Sequence, residues 1–259
     1  MANGRLRIER ETKNVQNIIV KQTPAVQSTQ PAFSLNMPGV DELFPGFCAG
    51  DFAVLYGSHS VTRLTSLLCV RAQLPIQFGG LASSVVFIDG GITFRLYNIS
   101  RLAQLHQLNP QKVLGRIFIS RAFTAYQLTS LIMEKLEKTV KNYAAKVVVI
   151  SDIAGFFSDN NVALEEAQRI YSQIVRYLQN FAKEHHIIVI ATYLPCENSK
   201  RNATLQETTF NEASTVLCFT KTQYARKVAL EKHPSYILGV TELPTENRPL
   251  TDFLGVSSG

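Results

Sequence analysis

The stretch "FAVLYGSHSVTRLTSLLCVRAQ", residues 52–73, decides how the rest of the chain is read. An apolar run from Phe52 to Tyr56 ends at Gly57, a short polar loop follows, and a helix begins. That is the layout of a phosphate-binding loop, where successive backbone N–H groups and a helix N-terminus face an anion. The pattern G-x-x-x-x-G-K-[ST] supplies the chemistry. Glycine allows close approach, lysine neutralises the β- and γ-phosphates, and the hydroxyl holds magnesium. Counted from Gly57, Thr62 takes the glycine position, Arg63 the lysine and Leu64 the hydroxyl. Arginine keeps the charge on a larger planar head. Leucine cannot bind magnesium, and Thr65 offers a hydroxyl one residue late. Ser58, His59 and Ser60 remain as anion contacts. Either the loop only caps a sheet, or it binds nucleotide weakly.

Outward from this stretch, apolar runs rich in Val and Ile recur as "SVVFID" (84–89), "RIFISRAF" (116–123), "KVVVIS" (146–151) and "HIIVIAT" (186–192). They are short and apolar on both faces, as buried parallel strands are. Between them, "LYNISRLAQLHQL", "YQLTSLIMEKLEKTVKNY" and "NVALEEAQRIYSQIVRYLQNFAKEHH" carry apolar residues at helical spacing. The alternation predicts an α/β domain with helices on both faces of a mostly parallel sheet. After residue 192 a polar stretch, 195–213, reads as a loop. Then "TVLCFT" (215–220), "RKVALEK" (226–232) and "YILGVTEL" (236–243) read as closing antiparallel strands. Residues 1–33 read as a flexible basic arm with one apolar run, Val15 to Val20, and residues 34–259 as the core domain.

The chain has 259 residues, 46% of them hydrophobic and 18% charged, enough for one large core. No run of apolar residues is long enough to span a membrane, and the N-terminus lacks the apolar core of a signal peptide. The four cysteines are widely spaced, as in a reducing cytoplasm. The formal net charge is +6, half of it on the arm, which fits an acidic partner such as nucleic acid.

Taken in order, "GVDELFPGFCAGDFAVLYG" (39–57), "VVFIDGGITFRLYNISRLA" (85–103), "IFISRAFTAYQLTSLI" (117–132) and "VVVISDIAGFF" (147–157) resemble the RecA-like recombinase superfamily. The likeness is to the ATPase core of the archaeal and eukaryotic strand-exchange recombinases and their paralogs, over about residues 35–243. It implies a P-loop NTPase core. It also identifies further departures. The turn after the second strand keeps Asp89 but has Gly91 where the family has the glutamate that positions the attacking water. Losing such a base costs roughly 10²–10⁴-fold in rate. The Walker B strand ends at Ser151 where the family has aspartate, and Asp152 follows, on the opposite side of an extended chain. The fifth strand ends in Thr192, Tyr193 and Leu194, where the family has polar γ-phosphate sensors.

The resemblance therefore implies a pseudo-ATPase. No cofactor and no metal site is expected, with weak ATP and magnesium binding as the alternative. Its degenerate site would comprise Gly57, Ser58, His59, Ser60, Thr62, Arg63, Thr65, Asp89 and Asp152. The expected role is a recombinase-paralog accessory factor in homologous recombination and DNA repair, cytoplasmic, or nucleoid-associated or nuclear if it acts on DNA. Expected partners are a recombinase or other RecA-like subunit, single-stranded DNA, or both, and no membrane. Lys200, Arg201, Arg226 and Lys227 are the candidate DNA contacts, with Lys232 in the same basic strand. Phe156 and Phe157 either stack on bases or pack in the core. "VQNIIVKQ" (15–22) either adds to a neighbour's sheet edge or lies on its own core. Two rivals remain: a recombinase-like or KaiC-like ATPase working through Arg63, Thr65 and Asp152, and a scaffold acting only through protein contacts.

Overall fold

Eight strands form one sheet in the computed structural model, which describes residues 33–158, 162–194, 199–223 and 225–243. The arm's apolar run and residues 15–22 lie outside these. The strands are β1 Phe52–Gly57, β2 Val85–Asp89, β3 Ile117–Arg121, β4 Val147–Ser151, β5 Ile188–Tyr193, β6 Thr215–Lys221, β7 Arg226–Lys232 and β8 Gly239–Leu243. Their spatial order is β3-β2-β4-β5-β1-β6-β7-β8. All pairs from β3 to β6 are parallel, and β6–β7 and β7–β8 are antiparallel. Parallel neighbours need crossovers, and helices supply each of them.

The helices are α1 Val40–Leu43, α2 Val61–Arg71, α3 Leu96–Leu105, α4 Pro110–Leu114, α5 Ala125–Ser130, α6 Leu136–Tyr143, α7 Gly155–Ser158, α8 Leu164–His185 and α9 Lys200–Glu212. A π-helical turn, Leu131–Lys135, joins α5 to α6. One sheet face buries Leu128, Ile132, Leu136, Tyr171, Leu178 and Leu205 from α5 to α9. The other buries Leu64, Leu68, Ile99, Leu102 and Val113 from α2, α3 and α4. Every residue of β2 and β4 is buried, which is why these strands read as continuous apolar runs.

The domain reaches back to Phe33, which is fully buried and exchanges backbone hydrogen bonds with Phe47. The last strand is shorter than its apolar run. Ser235 and Tyr236 donate backbone N–H groups to His233 Nδ1, closing a turn that delays β8 until Gly239. Phe157 is fully buried and Phe156 packs against the same core, so their apolar character is accounted for by packing.

The stretch expected as a loop at 195–213 is instead largely α9. Ser199 caps it, accepting from the Asn202 N–H, and Leu205, Thr209 and Asn202 face inward. The helix places Lys200 exposed in its first turn and ties Arg201 down. Arg201 donates from Nε to the Phe157 carbonyl at 2.6 Å and from Nη2 to the Val162 carbonyl at 3.0 Å. Lys232 is occupied in the same way, its Nζ donating to the Phe210 and Asn211 carbonyls at the end of α9, each at 2.8 Å. Arg201→Ala should therefore lower stability by about 1–2 kcal/mol, by leaving two carbonyls short of a charged donor. Urea denaturation of wild type and variant measures this, and an unchanged midpoint would free Arg201 for a role at the surface.

Candidate functional site

The loop after β1 sits at the C-terminal edge of the parallel strands, where this class of sheet places its ligands. Gly57 is held at φ +106°, and a Cβ there would come within 2.3 Å of the Phe219 carbonyl oxygen on β6. This glycine serves the close approach of two strands. Beyond it the loop closes on itself. The Ser58 N–H donates to the Phe219 carbonyl at 2.6 Å, Val61 to Ser58 at 3.1 Å, Thr62 to His59 at 3.3 Å and Arg63 to Ser60 at 3.0 Å. Four of the donors that would cradle phosphate are thus taken by the chain's own carbonyls, and the Ser60 N–H faces Ser58 Oγ at 3.4 Å. The hydroxyls follow suit: Ser58 and Ser60 share a hydrogen bond at 2.6 Å, and Thr62 Oγ1 donates to the His59 carbonyl at 2.8 Å.

Magnesium with ATP is the group the fold implies here, and the residues do not fit the ion. Leu64 is buried at the hydroxyl position. Thr65 is buried too, and its Oγ1 donates to the Thr62 carbonyl at 2.8 Å, within the helix. It does not join Ser58, His59, Ser60 and Arg63 at the cavity mouth.

On the other side of the loop, the two acidic residues have separate lives. Asp89 is fully buried and knots the ends of three strands together. Its Oδ1 accepts from the Thr93 N–H and from Ser151 Oγ, each at 2.8 Å, and its Oδ2 pairs with Arg121 at 3.1 Å. Ser151, at the Walker B position, thereby serves as a donor to Asp89.

Asp152 lies one residue further on at φ +49°, its own N–H donated to Thr192 Oγ1 at 2.8 Å. The left-handed turn swings its side chain over Gly91. A Cβ on residue 91 would lie 2.8 Å from the Asp152 Cβ, too close for any side chain. Glycine at 91 and the present placement of the Asp152 side chain are therefore sterically linked. Burial pushes the Asp152 carboxyl up to about 6, against the pull of the Leu194 and Gly155 N–H groups and of His59. Its Oδ1 is buried without a hydrogen-bond partner among the described residues. Tyr193, at a sensor position, is buried with its hydroxyl on the Asn202 side-chain oxygen at 2.6 Å.

A cavity of about 570 Å³ opens beside the loop, between α2 and the ends of β6, β7 and β8. Arg63 reaches its wall from the loop, and Arg226 and Lys227 reach it from β7. Residues read from the sequence as two separate groups, one for nucleotide and one for DNA, thus share one cavity. Lys200 and Arg201 do not belong to it, because α9 packs on the opposite face of the sheet. Sequence reasoning missed Lys221 and Arg71, which also line the cavity. Arg71 is buried in α2, with its Nε donating to the Ser34 carbonyl at 3.1 Å. An arginine in the apolar stripe of "LTSLLCVRAQ" was the available clue, since a buried guanidinium needs a partner.

Comparison with known proteins agrees with this architecture. The profile of the Rad51 family matches residues 27–212, more than half of the chain. The DNA repair and recombination protein RadA of Cenarchaeum symbiosum (strain A) is 28% identical over 134 residues, 51% of this chain and 33% of that protein. The DNA repair protein RAD51 homolog B of Zea mays is 30% identical over 151 residues, 57% of this chain and 44% of that protein. The DNA repair protein RAD51 homolog of Solanum lycopersicum is 28% identical over 151 residues, with the same shares. The matched stretch spans less than half the length of each of these relatives. Strand order, loop position and the length of the family match lead to one conclusion: the chain belongs to the Rad51 family and carries its RecA-like core, here with altered residues at the loop after β1 and at the ends of β2 and β4.

Proposed function

We propose that the chain is a recombinase-paralog accessory protein of DNA repair and recombination that does not hydrolyse ATP and acts by binding a RecA-like partner. One observation carries the reading: the side chain of Asp152 fills the place that a catalytic glutamate at residue 91 would need. The loop has lost its magnesium hydroxyl as well, so neither the water nor the metal has a seat. The relatives' names supply the process.

The partner surface that fits best is the β3 edge of the sheet. This strand has a free side among the described residues, with Ile119 exposed on it and Phe123 and Tyr126 exposed just beyond. An edge of this kind accepts an added strand from another subunit. Arg201 and Lys232 are engaged within the fold, which favours a protein partner over a DNA track.

Phosphate release from Mg-ATP tests the reading. We expect a rate indistinguishable from buffer, with and without single-stranded DNA. Turnover that Arg63→Ala abolishes would overturn it in favour of a rearranged working site. No helix among the described residues is long and apolar enough to cross a membrane.

A further inference from the structure

The connection between α2 and β2 exposes two large apolar side chains. Ile76 is 57% and Phe78 64% exposed, both on one tight turn. The backbone holds them there. The Phe78 N–H donates to the Pro75 carbonyl at 3.0 Å, Gly79 to Ile76 at 3.0 Å and Gly80 to Pro75 at 3.2 Å. Residue 80 must be glycine, since a Cβ there would lie 2.1 Å from the Leu74 carbonyl oxygen. The turn is closed by its own hydrogen bonds, so its apolar tips face water by construction. Exposed apolar side chains held together in this way mark a contact surface.

The ground around the turn is cationic. Arg116 donates from Nη2 to the Ala82 carbonyl at 2.8 Å, and the Lys146 N–H donates to Ser83 Oγ at 2.8 Å. Gln73 Nε2 donates to the Val113 carbonyl of α4 at 3.0 Å. These bonds fasten the turn to α4 and to the starts of β3 and β4. Lys112 and Lys146 are exposed and Arg116 is half-buried. None of the three pairs with a carboxylate among the described residues. Residues 72–84, 106–116 and 143–146, which build this end of the sheet, include no Asp or Glu. From Phe52 to Met133 the chain has seven Lys and Arg against Asp89 alone, an excess of six that equals the formal net charge of the whole chain. Asp89 is fully buried on Arg121 at the other end of β2, so it does not offset these cations.

Two apolar tips ringed by three cations without a counter-charge match a segment that sets Leu or Phe among Asp and Glu. A nucleic-acid strand matches less well. Ile76 has no ring to stack on a base, and Tyr143 is already stacked on Phe118.

We propose that the N-terminal end of β2, β3 and β4, centred on Ile76 and Phe78 and rimmed by Lys112, Arg116 and Lys146, docks an acidic, apolar segment of a partner protein. The surface lies at the end of the sheet away from the loop after β1, so it does not depend on the non-hydrolysing reading. It also leaves the β3 edge free for a RecA-like subunit. An accessory protein built this way holds two partners at once, one along a strand and one at its end.

Fluorescence anisotropy of a labelled synthetic peptide, in which Leu and Phe are spaced by pairs of Glu, titrated with the full chain, tests this. Saturable binding is expected. A peptide of Glu alone should bind at least about tenfold more weakly, because it leaves the apolar tips bare. Ile76→Ser and Phe78→Ser should each weaken binding about fivefold. Lys112→Glu and Lys146→Glu should each weaken it about threefold or more, and added salt should weaken it further. Arg169→Glu makes the same charge change at an exposed position on α8, which packs on the opposite face of the sheet from α2 and α4, and should alter affinity by less than about twofold. Near-ultraviolet circular dichroism confirms that each variant is folded before its affinity is compared. No saturable binding up to millimolar peptide, equal binding of the all-Glu peptide, indifference to Ile76→Ser and Phe78→Ser, or a loss in Arg169→Glu as large as in Lys112→Glu would each overturn the proposal. So would an oligothymidylate that binds more tightly than the peptide and is lost in the same variants, which would make this a nucleic-acid surface instead.

Discussion

Gly91→Glu, which reinstates the carboxylate that hydrolysis needs, is expected to destabilise the protein by about 3 kcal/mol and to restore no turnover, because it forces a side chain into filled space and buries a charge. The new Cβ would lie 2.8 Å from the Asp152 Cβ and 3.0 Å from the Thr93 Cγ2. Neither neighbour yields easily. Asp152 is fixed by its N–H on Thr192, and Thr93 is held to Asp89. Removing the obstruction should rescue the variant. Asp152→Gly deletes the clashing Cβ at a residue with φ +49°, where glycine is at ease. Denaturant titrations of the two single variants and the double variant give the coupling. The double variant should be more stable than the sum of the singles by at least about 1 kcal/mol, as for residues in direct contact. Additive losses would show that residues 91 and 152 do not compete for one space.

The second large effect is electrostatic. Burial raises the Asp152 carboxyl from 3.8 to about 6. A carboxyl whose pKa is higher in the folded than in the unfolded state favours folding below the unfolded value, and that advantage is lost as pH rises through the folded one. Above about pH 6 the folded protein holds an ionised carboxylate with one oxygen lacking a hydrogen-bond partner among the described residues. Asp152→Asn removes the ionisation and keeps the shape, and asparagine tolerates the left-handed backbone. At pH 7 the variant should be more stable than wild type by up to about 3 kcal/mol, the linkage value of the shift. The gap should shrink as pH falls through 6 and vanish below 3.8, where the wild-type side chain is protonated in both states. Stability curves at several pH values test this, since the other titrating groups cancel in the difference, apart from His59, whose charge acts on Asp152. A gap independent of pH would mean that Asp152 is not the titrating group.

Much of this architecture was legible in the sequence because buried parallel strands leave a direct trace. Four of the five runs from Phe52 to Thr192 are apolar on both faces, the edge run at 116–123 is so on one, and each contains a strand within a residue or two of its ends. The departures at Thr62, Arg63, Leu64, Gly91 and Ser151 were legible too, because each is a residue type out of place in a fixed pattern. Other features were not. Helix α9 carries few apolar residues in "KRNATLQETTFNE" and buries Asn202 and Thr209 beside Leu205, so its period is written largely in polar residues. The contest between Gly91 and Asp152 joins residues 61 positions apart through a backbone turn that no local pattern announces. The cavity joins Arg63 to Arg226 only because β6 lies beside β1, an adjacency that a linear reading of charge does not contain.

Asp89 bears on how related sequences should be surveyed. It is the acidic residue of this corner that keeps its family position, and here it fastens β2, β3 and β4 through Ser151, Thr93 and Arg121. Those three contacts give it a structural role that is independent of any chemistry at the site. An aspartate at this position is thus accounted for by the fold, and its presence alone does not mark a homologue as hydrolytic. The diagnostic pair is the residue at 91 together with the residue at 152, since their side chains compete for one space and glutamate enters the first only where the second gives way.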